Sequence, residues 1–319
     1  MLKIVVKISW DIIEHSDEDI LELQNGCICC TIRADLTNTL LNLIDKTNKG
    51  VIKPFDRVIV ETTGLADLAP IIHTLMRSFE LHRYYKLDDI VTLVDAVNGN
   101  DTLDNHPEAT KQAAMAERII LSKTDIVDSN TQQTLINRLK AINPSTPILF
   151  NTSDEAIVSS LSGLDTYNPN SKSEDVIKWL NMEHFEDEHQ HLHHNHSDED
   201  HDHDHHHDIN RHSDEIQAFV MTSDKPINYM AFNLFLELLT SMVGLKLLRV
   251  KGIINIVGED RPVVVHGVQH LFHPIRWLDN WPDDDHRTRL VFITHNIPQE
   301  VIQKLFNSLL GTVKEEGIE

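Results

Sequence analysis

The sequence predicts an α/β protein, with a mostly parallel sheet that carries helices on both faces, followed by a small α+β domain. Two observations predict this class. Up to about residue 180, short β-branched apolar runs alternate with helical patterns, which is typical of βαβ units and a doubly wound sheet. A second patterned region follows a histidine-rich stretch. We therefore expect three parts, residues 1–182, 183–212 and 213–319.

Apolar runs in the first part predict its buried strands at residues 57–61, 90–95, 119–121 and 147–150. Amphipathic stretches predict its helices at residues 36–45, 68–79, 107–117 and 131–142. Ligands bind beyond the carboxyl ends of strands in such sheets, so residues just after each run are candidates for a site.

The last part is predicted to contain strands and two helices. Strand-like segments lie at residues 216–222, 247–258, 262–274 and 289–295, and helical patterns lie at 229–242 and 298–310. His266, His270 and His273 lie in the third of these strand segments. His266 and His270 are either ligands or caps of buried turns, and the structural interpretation is favoured.

Composition excludes several function classes. The chain has 319 residues with 28 Lys and Arg against 50 Asp and Glu, a formal net charge of −22. Such an acidic chain does not hold nucleic acid or an anionic membrane by bulk charge and is better suited to attracting cations. We see no signal peptide and no apolar run near the ~20 residues of a membrane span, so a soluble cytoplasmic protein is expected.

The three cysteines of the chain, Cys27, Cys29 and Cys30, lie within four residues. An odd number in one cluster argues against a disulfide framework and for a reducing compartment. Thiolates favour zinc, copper(I) and related ions, and a fourth ligand would be water, histidine or carboxylate. We favour a metal site, the alternative being three small buried apolar side chains.

Two strand ends carry signals for nucleotide binding. Glu61 and Gly64, in E-T-T-G, follow one strand, where a carboxylate can organise magnesium and a glycine N–H can meet a γ-phosphate. Ser122, Lys123 and Asp125, in S-K-T-D, follow another and resemble the guanine-reading [NST]-K-x-D element of GTPases. The alternative is an ordinary strand-to-helix turn for the first motif and an ordinary polar loop after a strand for the second.

The stretch 183–212 holds twelve of the 21 histidines and ten acidic residues, and we expect it to be a disordered linker. Neutral imidazoles bind zinc, nickel, cobalt and copper, so metal buffering is favoured over a merely solvated linker. The weak ligands of this stretch are predicted to be His191, His193, His194, His196, His201, His203, His205, His206 and His207.

With these motifs in hand, the sequence resembles the CobW-type GTP-binding metallochaperones, relatives of UreG and HypB. The matching segments are ELQNGCICCTIRADL, VIVETTGLADLAPI, LVDAV, LSKTD, the histidine-rich linker, LLRVKG and VHGVQHLFHPIRWLDNW, in the expected order. The resemblance implies a P-loop GTPase-like domain, the linker, and a CobW C-terminal domain.

The resemblance also implies a function, namely GTP-dependent delivery of zinc or cobalt to a client metalloprotein or cofactor-biosynthesis enzyme. Cys27, Cys29 and Cys30 would hold the cargo ion. Glu61 and Gly64 would sense magnesium and the γ-phosphate, and Ser122, Lys123 and Asp125 would bind guanine. The resemblance also allows a homodimer.

The 319 residues contain no G-x-x-x-x-G-K-[ST] element, which family members carry before the segment that matches residue 1. We therefore interpret the chain as an N-terminally incomplete GTPase domain, which fits a fragment, a mis-started reading frame or a degenerate paralogue. Two alternatives stay open, a non-enzymatic metal buffer that uses the histidine segment, and a nonfunctional remnant.

Overall fold

The computed structural model describes residues 3–9, 31–55, 57–62, 64, 67–150, 215–273 and 275–310. Its first part is a five-stranded sheet with helices, and its second part is a six-stranded antiparallel sheet with two helices packed against it. The predicted fold class is confirmed. The predicted domain bounds at residues 182/183 and 212/213 lie outside the described residues.

The first sheet has the order β2-β1-β3-β4-β5. Its strands are β1 (Lys3–Ser9), β2 (Arg57–Thr62), β3 (Lys86–Asp95), β4 (Arg118–Ser122) and β5 (Ile148–Phe150). The pairs β3–β4 and β4–β5 are parallel, whereas β1 runs antiparallel to both of its neighbours. The strand β1 was not predicted, and it is the one strand in this sheet that reverses the common direction.

Helices of the first part are α1 (Thr31–Asn48), α2 (Ala69–Arg77), α3 (Gly99–Asn105), α4 (Pro107–Met115) and α5 (Ser129–Ile142). Proline at the start of α2 and of α4 fits the first helical turn, where its missing N–H is not needed. Asp128 caps α5, since its carboxylate accepts from the N–H groups of Asn130 and Thr131. The short α3 was not predicted from the sequence.

The second sheet has the order β10-β8-β7-β11-β6, with β9 paired to β8. Its strands are β6 (Ile216–Ser223), β7 (Leu247–Ile254), β8 (Val263–Val268), β9 (Leu271–Phe272), β10 (Arg276–Trp277) and β11 (Thr288–His295). The helices α6 (Tyr229–Val243) and α7 (Gln299–Leu310) pack on one face. Phe235 of α6 meets Phe306 of α7 edge to face, with ring centroids 5.3 Å apart.

The other face of the second sheet packs against the first part. Leu248, Val268 and Ile293 of this face share one apolar cluster with residues of α2 and α4. All eight residues of β7 are consequently buried, including Arg249 and Lys251. Among the helices that the structure describes, none is long and apolar enough to cross a membrane.

Candidate functional site

The loop after β4 carries the predicted guanine-reading residues. Lys123 directly follows the strand and has a φ of 58°, so the chain turns sharply away from the sheet there. The Ser122 hydroxyl donates to the Val94 carbonyl at 3.2 Å, and the Ala96 N–H donates to the Ser122 carbonyl at 2.9 Å. These bonds join the ends of β3 and β4 and fix the base of the loop.

Asp95, the last residue of β3, positions the Lys123 side chain. The ammonium lies 2.6 Å from the carboxylate Oδ2, while about half of the Lys123 side chain stays exposed. The N–H groups of Val97 and Asn98 and the Asn98 amide also donate to this carboxylate. Burial opposes ionisation, but the hydrogen bonds from Lys123, Val97 and Asn98 outweigh it and lower the pKa of Asp95 to about 2. Lys123 is therefore held near the strand end at every physiological pH.

Asp95 is a functional candidate that the sequence analysis did not name. It lies in the quoted segment LVDAV, at the carboxyl end of a predicted strand, and that position was the available signal. Asp125 lies two residues beyond Lys123 and is exposed, so both side chains are accessible to a ligand at the same edge of the sheet.

Glu61 and Gly64 lie at the carboxyl end of β2, which runs in the same direction as β4. Glu61 is exposed and Gly64 is buried. Since β1 and β3 separate β2 from β4, three strand spacings of ~4.8 Å put the two strand ends about 14 Å apart. The structure thus places Glu61 and Gly64 at the same edge of the sheet as Lys123 and Asp125, but several strands away from them.

The opposite end of β4 is buried under the second part of the chain. Arg249 of β7 donates from Nη1 to the carbonyls of Met115 and Ala116 and from Nη2 to the Glu117 carboxylate at 3.0 Å. The other Glu117 oxygen lies 3.2 Å from Nε2 of His266. All of these side chains are buried, so the second part closes the C-terminus of α4 with a positive charge, where the helix dipole favours it.

The buried Lys251 and the partly exposed His273 complete the interdomain cluster, by which we mean Glu117, Arg249, Lys251, His266 and His273. The Lys251 ammonium lies 3.5 Å from the Ser145 carbonyl, and burial lowers its pKa well below the usual value. The His266 and His273 rings stack with centroids 4.9 Å apart. Burial, then His273, Arg249 and Lys251, lower the pKa of His266, which supports its interpretation as a structural histidine.

The metal-site predictions lie elsewhere in the chain. Cys27, Cys29 and Cys30 and the histidine segment 183–212 fall outside the described residues. Within the described part, no three or more His, Cys, Asp or Glu side chains are grouped so that they could hold a metal ion.

Family models match both parts of the chain. Residues 4–150 match the nucleotide-binding domain of the CobW/HypB/UreG type, and residues 216–310 match the C-terminal domain of cobalamin synthesis protein cobW. The zinc chaperone YjiA of Escherichia coli is 30% identical over 304 residues, which are 95% of this chain and 86% of that protein. Zinc-regulated GTPase metalloprotein activator 1 of Dictyostelium discoideum is 31% identical over 163 residues, 44% of this chain and 33% of that protein.

A solved structure shows the same architecture. The crystal structure of Zn(II)-bound YjiA GTPase from E. coli matches with a TM-score of 0.66 at 28% identity, over 86% of this chain and 77% of that one. The mostly parallel sheet with its polar strand-end loop, joined to an antiparallel second domain, defines a two-domain protein of the metallochaperone GTPase class. Within that class, the chain belongs to the CobW family.

Proposed function

We propose that this chain carries a zinc ion as cargo on Cys27, Cys29 and Cys30 and passes it to a client metalloprotein or cofactor-biosynthesis enzyme in the cytoplasm. The observation that carries the proposal is the C-x-C-C cluster in a chain of the CobW family. It is supported by relatives described as zinc chaperones and by the Zn(II)-bound state of the matching crystal structure.

Three thiolates suit an ion that must be bound and then released. Structural zinc sites use four protein ligands in a closed tetrahedron, whereas three protein ligands leave one position for water or for a ligand of the acceptor. An acceptor can therefore enter the coordination sphere before the chaperone leaves it. The same donors accept cobalt, which we propose as a second ion of this site.

The strand-end residues are proposed to form the base-reading part of a guanine-nucleotide site, which these 319 residues do not complete because they contain no G-x-x-x-x-G-K-[ST] element for the phosphates. Lys123, held by Asp95, would lay its aliphatic part against the base, and Asp125 would accept two N–H bonds from the guanine edge. Glu61 and Gly64, about 14 Å away along the same edge, would lie near the γ-phosphate and Mg²⁺. GTP and Mg²⁺, when bound, would supply the hydrolysis that releases the ion to the client. The exposed Lys123 and Asp125 fit the base end of such a ligand.

The cobalt spectrum of the full chain tests the cargo site. The chain has no cysteine besides these three, so a Co²⁺–thiolate charge-transfer band reports only on them, even when the histidine segment also binds cobalt. We expect an intense band that saturates near one Co²⁺ per chain and is lost in Cys27→Ser, Cys29→Ser and Cys30→Ser. A Ser159→Ala control should leave it unchanged. If the wild-type chain shows no such band, the cysteines do not hold the cargo.

The histidine segment favours a second function, buffering of the same ions. Its twelve imidazoles and ten carboxylates should bind several ions weakly and independently, and not one ion in a single closed site. Binding needs neutral imidazole, so ion uptake by this segment should fall as the pH drops below ~6.5. Equilibrium dialysis of Zn²⁺ at pH 7.5 and 5.5 measures this. A stoichiometry that is the same at both pH values would exclude the histidines as the ligands.

A further inference from the structure

His73 and His270 meet across the boundary between the two parts of the chain. His73 is a residue of α2 in the first part, and His270 lies in the turn between β8 and β9 in the second. Their ring centroids are 5.3 Å apart with an interplanar angle of 46°. Both side chains are partly exposed, so solvent and ions can reach them.

Packing fixes the backbone beneath each ring. On α2, Ile71, Ile72 and Leu75 are buried, and they belong to the same apolar cluster as Leu271, the residue that follows His270. The relative position of α2 and the turn is therefore set by a shared core and does not depend on the two imidazoles.

Hydrogen bonds hold the turn itself. The Gln269 N–H donates to the Leu248 carbonyl at 3.2 Å, and the His273 N–H donates to the His266 carbonyl at 2.9 Å. Gln269 has a φ of 55°, which gives the sharp reversal that presents His270 towards α2. A pair of ligands on rigid supports loses little entropy when an ion binds, and this preorganisation is what a metal site requires.

We propose that His73 and His270 together bind one divalent transition ion of the borderline class, such as Zn²⁺, Co²⁺ or Ni²⁺, in a site that bridges the two domains. Imidazole nitrogen is the ligand that these ions share, and neutral imidazole prevails at physiological pH. Two imidazoles are fewer ligands than the four of a closed structural site, so the ion exchanges more readily than one in such a site. Its two ligands are different residues from Cys27, Cys29 and Cys30, and the proposal requires no nucleotide.

The position of the pair would link ion binding to the contact between the two domains. Because α2 begins five residues after Gly64, an ion on His73 and His270 would connect the E-T-T-G segment to the second domain. A zinc ion bound there would strengthen domain contact by adding two coordinate bonds to the shared core.

Histidine footprinting on the full chain tests the proposal residue by residue, so ions on the histidine segment do not interfere. Diethyl pyrocarbonate modifies ring nitrogens that are neither protonated nor metal-bound, and peptide mass spectrometry reads each histidine separately. In buffered Zn²⁺ we expect His73 and His270 to become protected together, with one common midpoint. The exposed His82 serves as an internal control. It should not become protected at the Zn²⁺ concentration that half-protects His73 and His270.

Substitution of one ligand then tests the pairing. In His270→Gln the Zn²⁺ midpoint for protection of His73 should rise at least about tenfold, and His73→Gln should do the same to His270. His82→Gln should change neither midpoint. Unequal midpoints in the wild-type chain, no protection of either residue, or protection of His73 that persists unchanged in His270→Gln would each overturn the site. If one variant does not fold, the wild-type midpoints and the other variant still decide.

Discussion

The two ends of strand β4 differ in what surrounds them. At its start, Glu117 and Arg118 are buried, and each forms an ion pair, with Arg249 at 3.0 Å and with Asp89 at 2.9 Å. At its end, Lys123 pairs with Asp95 at 2.6 Å but stays half exposed. The same chemical interaction thus holds two domains together at one end and holds a ligand-accessible side chain at the other.

The difference shows which of these charges stabilise the fold and which are available to a ligand. Loss of one partner from a buried pair leaves an uncompensated charge, whereas an exposed pair is screened by water and contributes little to stability. Substitutions at the buried end should therefore change the free energy of unfolding, and substitutions at the exposed end should change ligand binding.

We expect the greatest change in the affinity for guanine nucleotide. The 319 residues contain the base-reading loop but no G-x-x-x-x-G-K-[ST] element, so several charge-assisted phosphate contacts of about 1.5–3 kcal/mol each are not available to this polypeptide. The affinity of this polypeptide for GTP should therefore be several powers of ten lower than that of a chain that makes those contacts. Isothermal titration of this chain with a non-hydrolysable GTP analogue and Mg²⁺ should show no saturation at micromolar nucleotide.

A micromolar, Mg²⁺-dependent affinity that disappears in Asp125→Ala would contradict this prediction. It would mean that another segment of the same chain binds the phosphates. Asp224→Ala, which changes an exposed aspartate of the second part, serves as the control.

The buried end is tested by Arg249→Met. This change leaves the Glu117 carboxylate buried without its guanidinium, and we expect a loss of about 3–5 kcal/mol in the free energy of unfolding. Chemical denaturation followed by circular dichroism measures it. Arg83→Met, at an exposed arginine, should change stability by less than about 0.5 kcal/mol. Equal stabilities of the two variants would show that the interdomain cluster contributes nothing to the fold.

Gly252 tests how closely the strands of the second sheet must approach. A Cβ at this position of β7 would lie 2.2 Å from the Arg289 carbonyl oxygen, a backbone atom that cannot move aside alone. Gly252→Ala should therefore cost about 1–3 kcal/mol. At Gly99 the nearest atoms belong to the flexible Leu135 side chain, so Gly99→Ala should cost less. If Gly99→Ala lowered the thermal unfolding temperature more than Gly252→Ala, the result would contradict this packing.

The smallest effect on stability is expected for Lys123→Met, at most about 1 kcal/mol at pH 7 because the lysine is half exposed. The pKa of Asp95 is lowered to about 2 from 3.8, so its contribution is fully present above pH 3.8 and is lost as the pH falls towards 2. Substitution of Lys123 should raise the pKa of Asp95. The contribution of Asp95 to stability should then be lost at a higher pH. An NMR titration of the Asp95 carboxyl that is identical in both proteins would contradict the pairing.

The sequence predicts most of the first sheet because its strands are continuous apolar runs and its ligand loops follow them. The strand β1 was missed, since nothing local in Lys3–Ser9 shows that it inserts between β2 and β3 with reversed direction. The exposed candidates Lys123 and Asp125 were predicted from motif and position. The pairings of Glu117 with Arg249 and of His73 with His270 join residues far apart in the chain, and only the packing of the second domain brings them together.

Zinc X-ray absorption of the full chain, loaded with less than one equivalent of Zn²⁺, shows whether the cargo ion lies on the three cysteines. At this loading the ion occupies the tightest site. We predict a shell of about three sulfurs at ~2.3 Å, the Zn–thiolate distance. A spectrum that contains only nitrogen and oxygen at ~2.0–2.1 Å would contradict the claim and would assign the cargo to histidines instead.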